Sequence, residues 1–328
     1  MDVKRLMGVV LLCVLLFGAG TAQELAPEEG LRLTVYTSHK EEVYRPVVEE
    51  FERRTGIWVR VVTGGTTELL ERIEGEADDP RADVMFGGGV ESLMAYEGCF
   101  AAWSTPRDML LEDCRFDEHR FVAFSRLPLV IIYNPRLVDD PPQGWRDLLS
   151  PRWRGQIAFA DPGVSGSSFT ALATLMQALD GEASLALLAD NVRGHVLSGS
   201  GEVVSAVASG AMSVGVTLHE TAKKRILAGD RIEMVWPEDG TSAVPDGAAV
   251  IANCAHEENA RLFVRFILGE DVQRRVQTDF ARLSVRSDLA RETEAEEHAF
   301  CAYDIDWASA NQRDILAAWG ALMREEAP

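Results

Sequence analysis

The chain has 328 residues, 47% of them hydrophobic, and its 52 acidic and 32 basic residues give a formal charge of −20. That length predicts about two domains, because single domains commonly hold ~100–200 residues. The acidic balance argues against nucleic acid and anionic membranes as partners, since both are bound through clustered cations. Ordinary fractions of aromatic (8%) and charged (26%) residues argue against disorder.

Residues 1–22 have the pattern of a secretory signal peptide. Lys4 and Arg5 precede an apolar run from Leu6 to Ala19, and small residues follow up to Ala22. Such segments are removed on export, so we predict cleavage after Ala22 and no membrane insertion of the mature chain. Removal takes away two cations and one anion, which would change the charge from −20 to −21.

Four cysteines lie beyond that segment: Cys99, Cys114, Cys254 and Cys301. Export permits disulfides, and the short loop between Cys99 and Cys114 favours that pair. Cys254 and Cys301 would then form the second bridge. The cysteines and histidines lack the spacing of a zinc site, so no metal or other cofactor is expected.

Strands and helices alternate along the first part of the chain. The pattern predicts strands at 31–37, 57–62 and 83–86 and a helix at 68–74. Another helix is expected to open at Ser38, where Glu41 completes a capping-box pattern. Glycines 87–89 follow the third strand, so we place a loop there.

The same alternation continues to the end of the chain. We predict strands at 128–133, 156–160, 212–217 and 248–252 and helices at 169–179, 261–268 and 306–323. Thr217 and Glu220 repeat the capping-box spacing. Alternating strands and helices indicate an α/β protein with mostly parallel sheets flanked by helices. Ligands bind such sheets beyond the carboxyl ends of their strands.

The loops that follow the predicted strands are rich in glycine, serine and threonine. Helix N-termini carry free N–H groups and positive partial charge, and glycine lets an anion approach them. The same residues could simply cap helices, but several such loops together favour a ligand cleft. The predicted ligand-binding residues are Ser38, His39, Gly65, Thr66, Gly88, Gly89, Ser165, Gly166, Ser167, Ser168, Ser200, Thr217, His219 and Glu220.

Common enzyme signatures do not occur in the sequence. It contains no P-loop, no G-x-S-x-G and no H-E-x-x-H. No pairing of a nucleophile with a base is visible either. We therefore expect a binding protein and not an enzyme, and a secreted hydrolase is the less favoured alternative.

Several segments resemble periplasmic solute-binding proteins of ABC importers. They are Leu33–Glu42, Phe51–Gly65, Ala82–Gly89, Val130–Arg136, Leu148–Gly155 and Tyr303–Trp319. The resemblance covers nearly the whole mature chain. It is to the branch that binds ferric iron, sugar phosphates or phosphonates and includes the phosphoglycerate transport regulatory type.

This resemblance implies a two-lobe periplasmic binding protein fold of type II, with a ligand cleft between the lobes. Lobe one would hold residues 30–125 plus 248–288, and lobe two 126–247 plus 289–328. It also implies a periplasmic monomer that delivers a small anionic ligand to an ABC permease of the inner membrane. The expected ligand is a small phosphorylated or phosphonate-type compound.

The ligand class is where this sequence departs from the ferric-binding members. Ser165-Gly166-Ser167 matches the motif with which those proteins hold a phosphate, and His39 matches a histidine that some place on the metal. Their two adjacent tyrosines are replaced here by Thr217–Thr221. Iron therefore becomes an alternative that would use His39 and Glu220. A second alternative is a ligand sensor that partners a membrane kinase.

Overall fold

The computed structural model describes residues 28–102, 108–116, 118–179, 181–289 and 300–324. The predicted signal peptide and its cleavage site after Ala22 lie outside these residues. Within the described ranges, no helix is both long enough and apolar enough to cross a membrane.

Every strand and helix expected from the sequence is present, but the loop expected at glycines 87–89 is wrong, because the third strand continues to Gly89. The strands are β1 (Arg32–Thr37), β2 (Trp58–Thr63), β3 (Val84–Gly89), β4 (Phe121–Tyr133), β5 (Ile157–Ala160), β6 (Val196–Leu197), β7 (Val214–Leu218), β8 (Glu233–Val235), β9 (Ala243–Val250) and β10 (Leu283–Ser284). The helices are α1 (Glu41–Thr55), α2 (Thr66–Gly75), α3 (Val90–Ala95), α4 (Trp145–Leu148), α5 (Gly166–Ala178), α6 (Glu182–Val192), α7 (Ser200–Ser209), α8 (His219–Leu227), α9 (Glu257–Ile267), α10 (Glu270–Thr278) and α11 (Ile305–Arg324).

Strand β4 belongs to two sheets and so joins two lobes. The first sheet has the order β2-β1-β3-β9-β4, and the second has the order β4-β7-β5-β6. Residues 121–128 of β4 pair with β9, whereas residues 129–133 pair with β7. Pairs within each lobe are parallel, but every pair that includes β4 or β9 is antiparallel. The expected parallel pattern therefore holds away from β4 and β9.

Separate apolar cores stabilise the two lobes. In the first lobe, Phe51 and Phe263 pack on one face of the sheet and Leu93 on the other. Trp145 and Phe169 lie in the second-lobe core. Burying each such side chain stabilises the fold by roughly 1.5–3 kcal/mol. We keep 30–125 plus 248–288 and 126–247 plus 289–328 as the proposed division, with β4 and β9 as the crossing strands.

The expected disulfides are wrong in this structure. Cys99, Cys114, Cys254 and Cys301 are all free thiols. Cys114 is buried in the core that contains Phe51, whereas Cys99 packs against the core on the other face of the first sheet. Cys254 also packs against these first-lobe cores, and Cys301 lies beside Gly240. The sheet thus separates Cys99 from Cys114, which sequence distance alone could not show.

Two expected capping boxes are also wrong. Helix α1 begins after Lys40 and α8 begins after Leu218, and neither start has a side-chain cap. Both chain segments stay extended beyond the predicted cap residues, Ser38 and Thr217. Their hydroxyl groups are therefore not used by the helices.

Candidate functional site

A cavity of about 390 Å³ lies between the lobes, at the carboxyl ends of β1, β2, β3, β5 and β7. All the predicted ligand-binding residues except Ser168 and His219 line its wall. The backbone N–H of Ser168 instead donates to Ser165 Oγ at 3.4 Å, and the His219 ring packs 5.0 Å from that of Trp236. The sequence pattern therefore locates the cavity, although two of its residues serve the surrounding packing.

The cavity wall also includes charged and polar residues that the sequence reasoning missed. The most informative are Lys40, Thr170, Ser198, Asp246 and Arg282. Asp246 and Arg282 each interrupt an apolar run, and a lone charge in such a run indicates a buried, paired group. That signal was available in the sequence, but it did not reveal the partner of either charge.

Arg282 is the centre of a buried network on the cavity floor. Its Nη1 donates to Asp246 Oδ2 at 2.9 Å and to Ser125 Oγ at 3.3 Å. Its Nη2 lies 3.4 Å from Glu220 Oε1. Asp246 also accepts hydrogen bonds from the backbone N–H and the hydroxyl of Ser125, at 2.8 and 2.6 Å. The network joins β4, β9, α8 and the residue that precedes β10, so it links α8 to the first sheet.

Backbone geometry places the Arg282 side chain in this network. The preceding residue, Ala281, has a left-handed backbone with φ of 55°. That conformation is uncommon and costly for a residue with a Cβ atom, and it persists where the surroundings enforce it. The following residue, Leu283, pairs with Arg126 of β4 and fixes the chain beside the crossing strand.

The charge states of the floor residues follow from burial and from Arg282. Burial, with Arg282 adding to it, holds the pKa of His39 well below its usual 6.5, so this imidazole is neutral. Burial alone would raise the pKa of Glu220, but Arg282, Lys224 and Lys40 together lower it. Burial raises the pKa of Asp246 despite the opposing effect of Arg282. The resulting set includes the Arg282 cation and an anionic Glu220.

Helix N-termini surround the cavity. The residues that immediately precede α1, α2, α3, α5, α7 and α8 all line it: Lys40, Gly65, Gly89, Ser165, Gly199 and Leu218. Each helix start has N–H groups without helical partners and a positive partial charge. These N-termini come from both lobes, so they can act on one bound group from opposite sides.

Glycines allow the two lobes to touch beside the cavity. A Cβ at Gly65 would lie 2.4 Å from the carbonyl oxygen of Val164 in the other lobe. A Cβ at Gly166 would lie 2.7 Å from Thr66 Oγ1. Side-chain contacts also cross the gap: Lys40 Nζ donates to Thr221 Oγ1 at 3.1 Å. These contacts show that the lobes are closed on each other.

The alternative of a metal site at His39 and Glu220 finds little support in this geometry. Among the described residues, no group of three or more His, Cys, Asp or Glu side chains could hold a metal ion. Arg282 Nη1 lies 3.4 Å from His39 Nδ1, and its Nη2 reaches Glu220. The guanidinium therefore contacts both expected ligands, and its positive charge opposes a cation between them.

Comparison with known proteins shows the family of this chain. The model of bacterial extracellular solute-binding proteins matches residues 79–311. An Fe(3+)-binding periplasmic protein of Serratia marcescens is 26% identical over 83% of each chain. A Salmonella typhi protein, named as 2-aminoethylphosphonate-binding and periplasmic, is 24% identical over 78% of this chain and 77% of its own.

A solved structure shows the same two-lobe fold. It is the periplasmic binding protein AfuA from Actinobacillus pleuropneumoniae with fructose-6-phosphate bound. The superposition has a TM-score of 0.82 and covers 90% of this chain and 99% of the other. Sequence identity is 23%, so the likeness establishes the fold alone.

Proposed function

We propose that the interlobe cavity binds a small phosphorylated or phosphonate-type anion. The premise is that the chain belongs to the bacterial extracellular solute-binding proteins of the ABC importer family. The proposal depends on one observation above all, which is that helix N-termini from both lobes converge on one cavity. N–H groups at helix starts bind phosphate and related oxyanions without needing an excess of basic side chains.

Charges on the cavity floor explain why these N–H groups matter. The cavity contains the cations Lys40 and Arg282, but Arg282 is already paired with Asp246 and Glu220. The side chains thus add little net positive charge, and the helix starts would supply most of the attraction. Distant surface carboxylates are screened within about 10 Å, so the charge of the whole chain does not oppose this binding.

Hydroxyl groups provide the additional donors that an oxyanion needs. Ser165 and Ser167 lie at the start of α5 with their Oγ atoms 3.1 Å apart. Ser38, Thr66 and Ser200 line the other sides of the cavity. Its volume of about 390 Å³ lies at the small end of ligand pockets, which span ~300–1,000 Å³. These features fit a compact ligand with one oxyanion group.

The name of the Salmonella typhi relative supports a phosphonate, whereas that of the Serratia marcescens relative points to iron. The position of Arg282 between His39 and Glu220 favours the anion for this chain.

We further propose a non-catalytic periplasmic monomer, released by cleavage after Ala22, that partners an inner-membrane ABC permease. Stimulation of ATP hydrolysis by the reconstituted permease complex tests that role against a membrane kinase partner.

Calorimetric titration of the mature protein tests the ligand class. The probes are 2-aminoethylphosphonate, fructose 6-phosphate, inorganic phosphate and ferric citrate. We expect saturable binding of at least one phosphorus oxyanion, weakened but not abolished in Lys40→Met and unchanged in the control Lys223→Met. Tight binding of iron together with no response to any phosphorus compound would overturn the proposal.

A further inference from the structure

Glu91 is a fully buried carboxyl group that bonds across the two lobes. It lies in α3, on the first lobe, and its side chain has no measurable exposure. Its Oε1 is 2.5 Å from Thr170 Oγ1, and Thr170 lies in α5 on the second lobe. Thr170 also lines the ligand cavity. The contact therefore joins the two lobes of the closed structure.

Hydrogen counting at Thr170 points to a proton on Glu91. The Thr170 hydroxyl lies within hydrogen-bond distance of two oxygens, Glu91 Oε1 at 2.5 Å and the Gly166 carbonyl at 3.1 Å. A threonine hydroxyl has a single hydrogen to donate. If Glu91 is protonated, it donates to Thr170, and Thr170 donates to Gly166. If Glu91 is ionised, one of these two contacts has no hydrogen.

The other carboxyl oxygen supports the same state. Within the described part of the chain, Glu91 Oε2 is buried without a hydrogen-bond partner. It lies so near Gly89 that a Cβ there would be 2.4 Å away, which leaves no room for another partner on that side. A bare, buried carboxylate oxygen is costly, and the protonated acid avoids much of that cost. Burial raises the pKa of Glu91 to about 7, against opposing hydrogen bonds from Thr170 and the backbone.

We propose that the protonated carboxyl group of Glu91 holds the two lobes together through its hydrogen bond to Thr170, so that closure of this binding protein takes up one proton. In the open form Glu91 would face solvent and be ionised at neutral pH. Closing would transfer its carboxyl group into the interface, where the neutral acid bonds Thr170. The inference rests on the two-lobe fold and its closure, and it does not depend on which ligand the cavity binds.

The charges around Glu91 do not offer it a cation. Helix α5 has no ionisable residue. Tyr303 precedes α11, and its phenol oxygen is buried beside Glu91 without a hydrogen-bond partner among the described residues. The other charged residues on elements packed against α3 are Arg126 of β4, Asp246 of β9, Glu68, Glu71, Arg72 and Glu74 of α2, and Asp306, Arg313, Asp314 and Arg324 of α11. Burial is the first cause of the Glu91 shift, and none of these charges is among its causes.

The direction of the pH effect follows from the two states. An exposed glutamate ionises near pH 4.5, and the closed-state group ionises near pH 7. The ratio of closed to open protein should therefore be highest below about pH 4.5. It should fall by up to about tenfold per pH unit between these values and become constant above them.

Infrared spectra of the unliganded mature protein test the proton directly. At about pH 6, where ordinary glutamates are ionised, wild type should show the C=O band of one protonated acid that is absent from Glu91→Gln. Small-angle scattering on the same samples should show wild type opening as the pH rises towards about 7. Glu91→Gln, a neutral isostere, should keep one radius of gyration across this range.

A matched control separates the effect of Glu91 protonation from general charge effects. Glu71→Gln removes an exposed carboxylate on the neighbouring α2 and should leave both the band and the pH profile as in wild type. Identical spectra for wild type and Glu91→Gln at about pH 6, in samples that scattering shows to be closed, would show an ionised Glu91 in the closed form and overturn the proposal. A pH profile of closure shared by wild type and Glu91→Gln would overturn it as well.

Discussion

Arg282 Nη2 and Glu220 Oε1 lie 3.4 Å apart, and the two residues belong to different lobes of the proposed division. Arg282 precedes β10 of the first sheet, whereas Glu220 is in the first turn of α8 on the second. Both side chains are buried, and Arg282 bonds Asp246 of β9 at the same time. The ion pair therefore connects the closed cleft to strand β9 of the first sheet.

Loss of Arg282 should destabilise the protein strongly. Arg282→Met leaves Asp246 as a buried, unpaired acid, and removing one partner of a buried ion pair costs about 3–5 kcal/mol. We expect a loss of this size in the free energy of unfolding measured with urea. The double variant R282M/D246N should recover much of it, because neither charge then remains buried.

The surface pair of Arg274 and Glu270 provides the control for that experiment. Arg274 bonds Glu270 at 2.6 Å on the exposed face of α10. Pairs of this kind contribute about 0–1 kcal/mol. Arg274→Met should therefore change the unfolding free energy little, and an equally small effect of Arg282→Met would show that the buried network does not support the fold.

Gly65 should be required for closure and not for folding. Its backbone φ is −68°, which any residue can adopt, but a Cβ would lie 2.4 Å from the Val164 carbonyl of the other lobe. Gly65→Ala should fold normally and remain more open, with a larger radius of gyration and at least tenfold weaker ligand binding. Gly75→Ala, which meets no atom within 4 Å, should match wild type. A closed Gly65→Ala would show that the lobes can shift without cost.

Much of the fold was predictable because its elements are locally encoded. The apolar stripe of Val43, Val47 and Phe51 specifies one buried helix face, and this face packs as the pattern indicates. The glycine and serine loops identify the cavity because they follow strands whose carboxyl ends meet. These features depend on spacing within one short segment.

What could not be predicted depends on contacts between distant segments. Arg282 lies 36 residues from Asp246 and 62 from Glu220, and periodicity contains no information about such pairs. The disulfide prediction was wrong for the same reason, because tertiary packing decides on which face of the sheet Cys99 and Cys114 lie. Glu91 lies on a short helix and is 79 residues from Thr170.

Ser165 should serve both the start of α5 and the ligand. Its Oγ accepts from the Ser168 N–H, so Ser165→Ala should lower the unfolding free energy by about 1 kcal/mol. Ser165→Gly should cost only a few tenths, because glycine is tolerated at this position of a helix. Both variants remove the hydroxyl and should weaken oxyanion binding equally in calorimetry. Full affinity in either variant would remove Ser165 from the site.

His39 should make the protein less stable as the pH falls. Burial and then Arg282 hold the pKa of His39 well below 6.5 in the folded state. Below about pH 6.5 the unfolded chain therefore binds a proton that the folded chain does not. Stability should decrease on acidification by up to about 1.4 kcal/mol per pH unit from this group.

The contribution of His39 is measured as the difference in unfolding free energy between wild type and a variant. This is necessary because protonation of Glu91 stabilises the folded protein over part of the same pH range. Urea unfolding at about pH 7, 6 and 5 should show that wild type loses more stability than His39→Gln, which has no titrating group there. Ser38→Ala changes the neighbouring cavity residue without altering any titration, so its difference from wild type should stay constant with pH. A constant difference for His39→Gln as well would mean that the imidazole binds its proton over the same pH range in the folded and the unfolded chain. Arg282 would then have to lie farther from it than 3.4 Å.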